Sequence, residues 1–179
     1  MIDPKERFNT PISTQELERR WAAVRAAMEV EGIDVLLMQN NQDCMGGYVR
    51  YFTDIPATNG YPITVVFPRD DDMTMVNQGP FGGDRAMDPA GDGIHRGVKR
   101  VMTTPSYESA PYTRDYDPAL AEKALEPYSG GTIGLVGTYQ MSFALVDYLK
   151  RGKFSNTNFV EASELVDNIK VIKSEEELD

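Results

Sequence analysis

The side chains able to do chemistry in this chain are few, and their types already limit it. There is one histidine, His95, and one cysteine, Cys44, in 179 residues. Cys44 and His95 lie 51 positions apart without an activating pattern, so neither a Ser-His-Asp nor a Cys-His arrangement is indicated. His95 sits in Gly91-Asp92-Gly93-Ile94-His95-Arg96-Gly97, a loop composition. One cysteine can make neither an internal disulfide nor a Cys-rich zinc site, and it reads as a free thiol in a reducing compartment. Asp70-Asp71-Asp72 reads as a solvated turn, because consecutive side chains in a turn rarely converge on one ion. The Gly130-Gly131 and Gly134 to Gly137 run lacks the spacing of a phosphate loop: two of its glycines precede a strand, and only Gly137 follows it.

One segment reads as a binding feature. In Tyr48-Val49-Arg50-Tyr51-Phe52, the guanidinium of Arg50 can fix a carboxylate through two parallel hydrogen bonds, and Tyr51 and Phe52 can wall an apolar pocket. The competing reading is a short helix packed on a sheet, with Arg50 satisfying a carboxylate or carbonyls of its own chain.

The elements that must position these residues alternate between helix and strand. Ser13 to Glu16 fits a capping box, followed by Leu17, Trp21, Val24 and Met28 on one helical face and by Gly32 as a stop. Residues 33–39 form an apolar run expected to be a buried strand. Residues 61–68 and 73–77, joined by the Asp-rich turn, predict a β-hairpin. A short strand is expected at 97–102, and the remainder of 79–117 reads as loop with one helical turn at 81–87. Asp117-Pro118 opens a helix. A strand at 132–136, a helix carrying Leu145 and Leu149 to Gly152, a strand at 158–160 and a last helix inside 161–172 complete the order. The expectation is a three-layer α/β domain: a mixed sheet of five or six strands with helices on both faces. Ser174 to Glu177 is a second capping box, placed to open another helix just before the sequence stops, which predicts the first part of a longer chain.

Composition excludes further classes. With 18 Lys and Arg against 28 Asp and Glu, a net charge of −10 and no basic stripe, nucleic-acid binding is not expected. Residues 1–10 lack the apolar core of a signal peptide, and no apolar run is long enough to span a bilayer, so a cytoplasmic protein without membrane contact is expected.

The order of elements resembles the N-terminal domain of the creatinase/prolidase/aminopeptidase P family. Three places carry the likeness: the helix ending in Glu31-Gly32 before a strand, the segment from Tyr48 to Asp54, and the stretch from Val166 to Glu177. The second is similar to the family's N-x-R-Y-[LF]-T-G, with Tyr48 in place of Asn and Asp54 in place of Gly. The third is similar to the joint that leads from the family's first domain into its catalytic domain. The resemblance implies a ribonuclease H-like layout over residues 1–172, with 173–179 as the start of the joint. It implies that the parent is a C–N hydrolase acting on Xaa-Pro peptides or small amidines or amides. It places the chemistry in a second domain, holding two divalent ions (Mn, Co or Zn) in the metallopeptidases and none in creatinase-like relatives. No cofactor and no catalytic residue are then expected in this chain. The resemblance further implies a homodimer, and Arg50, Tyr51 and Phe52 as contacts to a dipeptide or small-molecule substrate in the neighbouring subunit. Two other readings stay open: a stand-alone α/β module binding a small acidic ligand or a partner, and a self-contained acid/base hydrolase.

Overall fold

The computed structural model describes residues 12–40, 42–44, 47–57, 60–89, 91–107 and 110–178. Seven strands form one mixed sheet: β1 (Val35–Asn40), β2 (Ile63–Pro68), β3 (Met73–Gln78), β4 (Gly83–Ala86), β5 (Val98–Thr104), β6 (Thr132–Val136) and β7 (Asn158–Glu161), in the order β4-β5-β3-β2-β1-β6-β7. The pairs β1·β6, β3·β5 and β6·β7 are parallel; β1·β2, β2·β3 and β4·β5 are antiparallel. Helices α1 (Thr14–Glu31), α2 (Tyr48–Thr53) and α5 (Ser163–Lys170) cover one face, and α3 (Tyr116–Leu125) and α4 (Phe143–Arg151) the other.

Strand β1 shows why the layers form. All six of its residues are buried, which requires cover on both faces. Successive side chains point to opposite sides, so Leu36 and Met38 join the core under α1 and α2, while Val35 and Leu37 join the core under α3 and α4. On α1 the expected stripe of Leu17, Trp21, Val24 and Met28 is buried. The helix begins where the Glu16 N–H bonds Ser13 Oγ at 3.1 Å, and it ends at Gly32 in the left-handed conformation.

The α/β architecture with helices on both faces agrees with the sequence reading, and the β2–β3 hairpin forms as expected. The sheet has seven strands where five or six were expected. The extra one, β4, lies in the region read as loop with a helical turn. Its Gly-Asp-Arg-Ala composition carries no β-branched or aromatic signal. It is an edge strand, held by backbone pairing from Gly83↔Thr103 to Ala86↔Arg100 and by an ion pair from Arg100 to Asp84 at 2.6 Å. Helix α3 also starts earlier than expected. Its N-cap is Asp115, and Pro118 falls inside the first turn, where a missing N–H leaves no helical acceptor unfilled. Among the described residues no helix is long and apolar enough to cross a membrane.

Candidate functional site

The segment from Tyr48 to Thr53 folds as α2, a helix of under two turns that follows Gly47 in the left-handed region (φ 54°). Its geometry separates the three expected site residues. Phe52 points into the core and is fully buried, edge-on to Phe67 with ring centroids 4.7 Å apart. It is a core side chain and does not line the cleft beside α2. Removing such a ring costs about 3–5 kcal/mol. Tyr51 is 7% exposed, and its ring lines a cleft. Arg50 lies on the outer face with its side chain 48% exposed. The structure therefore brings Arg50 and Tyr51 to one cleft and sends Phe52 the other way.

The cleft has a volume of about 660 Å³ and lies where α1, α2, the end of α5 and the segment after it meet. Among the described residues, four cations line it (Arg20, Arg50, Lys170, Lys173), as do four carboxylates (Asp43, Asp54, Glu176, Glu177). Most of these charges are matched internally. Arg20, with a side chain only 3% exposed, bonds Glu16 at 2.8 Å and Glu177 at 2.9 Å, and donates to the Tyr51 carbonyl at 3.2 Å. Its guanidinium also lies 4.6 Å from the Tyr51 ring centre. Arg19 hydrogen-bonds the same Glu16 at 2.7 Å. The bond from Arg19, with that from Arg20, outweighs burial and holds the Glu16 carboxyl at about 2.

The Ser174 capping box closes as the sequence suggested, around one short 3-10 turn (Glu175–Glu177). That turn docks on the start of α1. Ser13 Oγ donates to Glu176 at 2.7 Å, and the Ser13 N–H donates to the same carboxylate. The sequence reading had Glu16 reaching back to Ser13. Glu16 instead serves the two arginines, and Glu176 takes that place.

Lys170 Nζ lies 4.3 Å from the Tyr48 ring centre and 5.7 Å from that of Tyr51, near Asp167 at 3.6 Å. Burial pushes its pKa down. The Tyr51 hydroxyl is buried and has no hydrogen-bond partner among the described residues; desolvation pushes its pKa up. Tyr48 donates to Asp167 at 2.9 Å, and its ring lies over Gly137 (φ 73°), where a Cβ would come within 2.7 Å of it. Gly137 thus serves close packing against Tyr48.

Asp54 ends α2 with φ 57°, the left-handed conformation that favours glycine. Its carboxylate accepts from the Ile12 N–H at 3.0 Å and from Arg96 at 2.6 Å. Burial pushes its pKa up, with Arg96 opposing. Arg50 differs from Arg20: its one ion pair among the described residues is to Asp43, at a long 3.5 Å. With five N–H groups in a planar fork, it retains the capacity to take a carboxylate.

The other chemistry-bearing residues lie apart. Cys44 is exposed. His95 Nδ1 contacts Asp92 at 2.7 Å in a loop. Asp70 pairs with Arg69, and Asp71 with Lys99, in the turn between β2 and β3. Sequence reasoning did not find Lys170, Glu177 or the buried role of Arg20. The only available signal was the four-residue spacing of Glu16 and Arg20 on one helix.

A model described as the creatinase/prolidase N-terminal domain matches residues 20–172. No curated protein matches the chain. Among solved structures, the N-terminal domain of the cytoplasmic peptidase PepQ from Mycobacterium tuberculosis is 18% identical, with a TM-score of 0.55, covering 84% of this chain and 98% of that one. Dipeptidase PepE from Mycobacterium ulcerans is 17% identical (TM-score 0.59), covering 94% of this chain and 40% of that one. An X-Pro aminopeptidase from Thermotoga maritima is 14% identical (TM-score 0.62), covering 88% and 37%. At these identities the likeness is one of fold. The chain spans about two-fifths of the length of the last two proteins.

Proposed function

Because the chain belongs to the creatinase/prolidase N-terminal domain family, we propose that it is the non-catalytic domain of a C–N hydrolase acting on Xaa-Pro peptides or small amidines or amides. In this reading residues 1–172 are the domain and 173–179 begin the joint to a catalytic domain. The domain assembles a homodimer and completes the substrate pocket of the neighbouring subunit. Any divalent ions belong to the catalytic domain. Support for a separate catalytic domain comes from solved structures named as an Xaa-Pro peptidase and a dipeptidase, in which this fold fills about two-fifths of the chain.

One observation carries the role at the site: the guanidinium of Arg50 is half exposed at the cleft with a single long ion pair, while the other guanidinium there, that of Arg20, is buried and held by two carboxylates at 2.8 and 2.9 Å. Its job is to hold the substrate carboxylate, with Tyr51 behind it. Phe52 supports α2 from the core.

The test is steady-state kinetics of the intact protein on Xaa-Pro dipeptides and on creatine. Arg50→Ala is expected to raise KM about tenfold or more with little change in kcat, since a hydrogen bond to a charged group is worth about 1.5–3 kcal/mol. An unchanged KM refutes the role of Arg50. The 179-residue chain alone is expected to turn over neither substrate, with or without Mn²⁺, Co²⁺ or Zn²⁺. Chelator-sensitive turnover by that chain overturns the non-catalytic reading.

A further inference from the structure

A second groove lies away from the Arg50 cleft, between the C-terminal half of α1 and α5, with a volume of about 700 Å³. Its apolar lining comes in two helical ridges. Ala27 and Val30 stand one turn apart on α1, and Leu165 and Ile169 one turn apart on α5. Ile33 and Val160 add to the apolar surface. Val30 is 84% exposed, on a helix whose opposite stripe is buried in the core.

The charges on this groove have one sign. Glu31, Glu161 and Glu164 line it, and among the described residues no Lys, Arg or His does. In the Arg50 cleft, by contrast, cations and carboxylates are balanced. Two ridges flanking an open apolar groove match the way a third helix packs, with its own ridge of side chains seated between them. Carboxylates at the margin select a helix bearing cations beside its apolar stripe. A second copy of this chain fits poorly, because it carries a net charge of −10 and would bring the same carboxylates to its own groove.

We propose that the α1–α5 groove is a docking site for an amphipathic helix of a partner protein, with an apolar stripe seated between Val30 and Leu165 and Lys or Arg side chains facing Glu31, Glu161 and Glu164. This rests on none of the residues assigned to the substrate pocket, and it stands or falls apart from that assignment.

The test uses two fluorescein-labelled peptides of about 18 residues with Leu at helical spacing. One carries Lys at all other positions and the other carries Glu. Binding to the protein is followed by anisotropy. The Lys peptide is expected to bind at least about thirtyfold more tightly than the Glu peptide, because the margin is entirely acidic. Val30→Ser, at a site too exposed to disturb folding, and the pair Glu31→Lys with Glu164→Lys are each expected to weaken the Lys peptide about tenfold. The control pair Glu18→Lys with Glu29→Lys makes the same change in net charge on α1 outside the groove, and is expected to change binding less than about twofold. Equal loss in the control pair would show attraction to net charge alone and overturn the proposal. So would binding that Val30→Ser leaves unchanged. Self-association in sedimentation that the groove variants abolish would make the occupant a second copy, and also overturn it.

Discussion

Two clusters of charge on this domain use the same chemistry and differ in surroundings. At one corner, Glu16 is held by Arg19 and Arg20, and Arg20 is held in turn by Glu177. At the sheet edge, Asp84 on β4 is held by Arg100 at 2.6 Å and Lys123 at 2.9 Å. Arginine hydrogen bonds depress both carboxyl groups: Arg19 first at Glu16, and Arg100 followed by Lys123 at Asp84. The distances hardly differ, but the exposures do. The side chains of Arg20 and Glu16 are 3% and 4% exposed, against 31%, 36% and 51% for Arg100, Asp84 and Lys123. Water can replace either partner at the edge but neither Arg20 nor Glu16 at the corner, where only Arg19, at 40% exposed, is open to it. A short ion-pair distance therefore does not by itself tell how much stability depends on it.

Removing one member from each cluster tests this contrast most severely. Arg20→Ala leaves Glu16 and Glu177 without their central cation and uncovers the Tyr51 ring. It is expected to lower the free energy of unfolding by about 3–5 kcal/mol in urea titrations. A loss below about 1 kcal/mol would place the corner in the same class as the edge.

The pH dependence sharpens the contrast. The folded-state pKa of Glu16 lies below its unfolded value, so its contribution is fully present above about 4.5 and is lost as pH falls towards about 2. The shift corresponds to roughly 3 kcal/mol. Stability measured from pH 6 to about 2 should therefore fall less steeply in Glu16→Gln than in the native protein. A parallel curve would break the assignment.

The smallest effect is expected at the edge. Asp84→Ala should cost less than about 1 kcal/mol in the same urea titration, because each side chain there is already about one-third or more exposed. A loss as large as that of Arg20→Ala would mean that the edge pair, and not the backbone ladder, holds β4 in place.

Much of the layered fold was legible locally. The stripe from Leu17 to Met28, the apolar run of β1 and the Asp-rich hairpin turn each announce an element through period or turn chemistry, and each forms. Strand β4 was not legible, because its signal is the ladder offered by β5 and not any residue of its own. The candidate site was half legible. Arg50 and Tyr51 do share a cleft, but Phe52 was assigned to that pocket when the turn of α2 points it at Phe67. Adjacent positions on a helix differ in direction by about 100°, so a cluster in sequence is not a cluster in space.

Residue types and spacing alone determined that catalysis by histidine or cysteine is not indicated here, that helices and strands alternate, and that residues 20–172 carry the pattern of one family. The first two follow from composition and from periods of two and 3.6 residues, which need no distant partner; the third rests on the likeness to that family's own sequences. Only the tertiary structure decided which charges are buried. Glu16 and Glu177 are 161 positions apart, yet they share Arg20. Asp54 adopts a backbone suited to glycine while its carboxylate is held by Arg96, 42 positions away. Such pairings depend on how elements pack, and nothing in the local sequence around either member specifies the other.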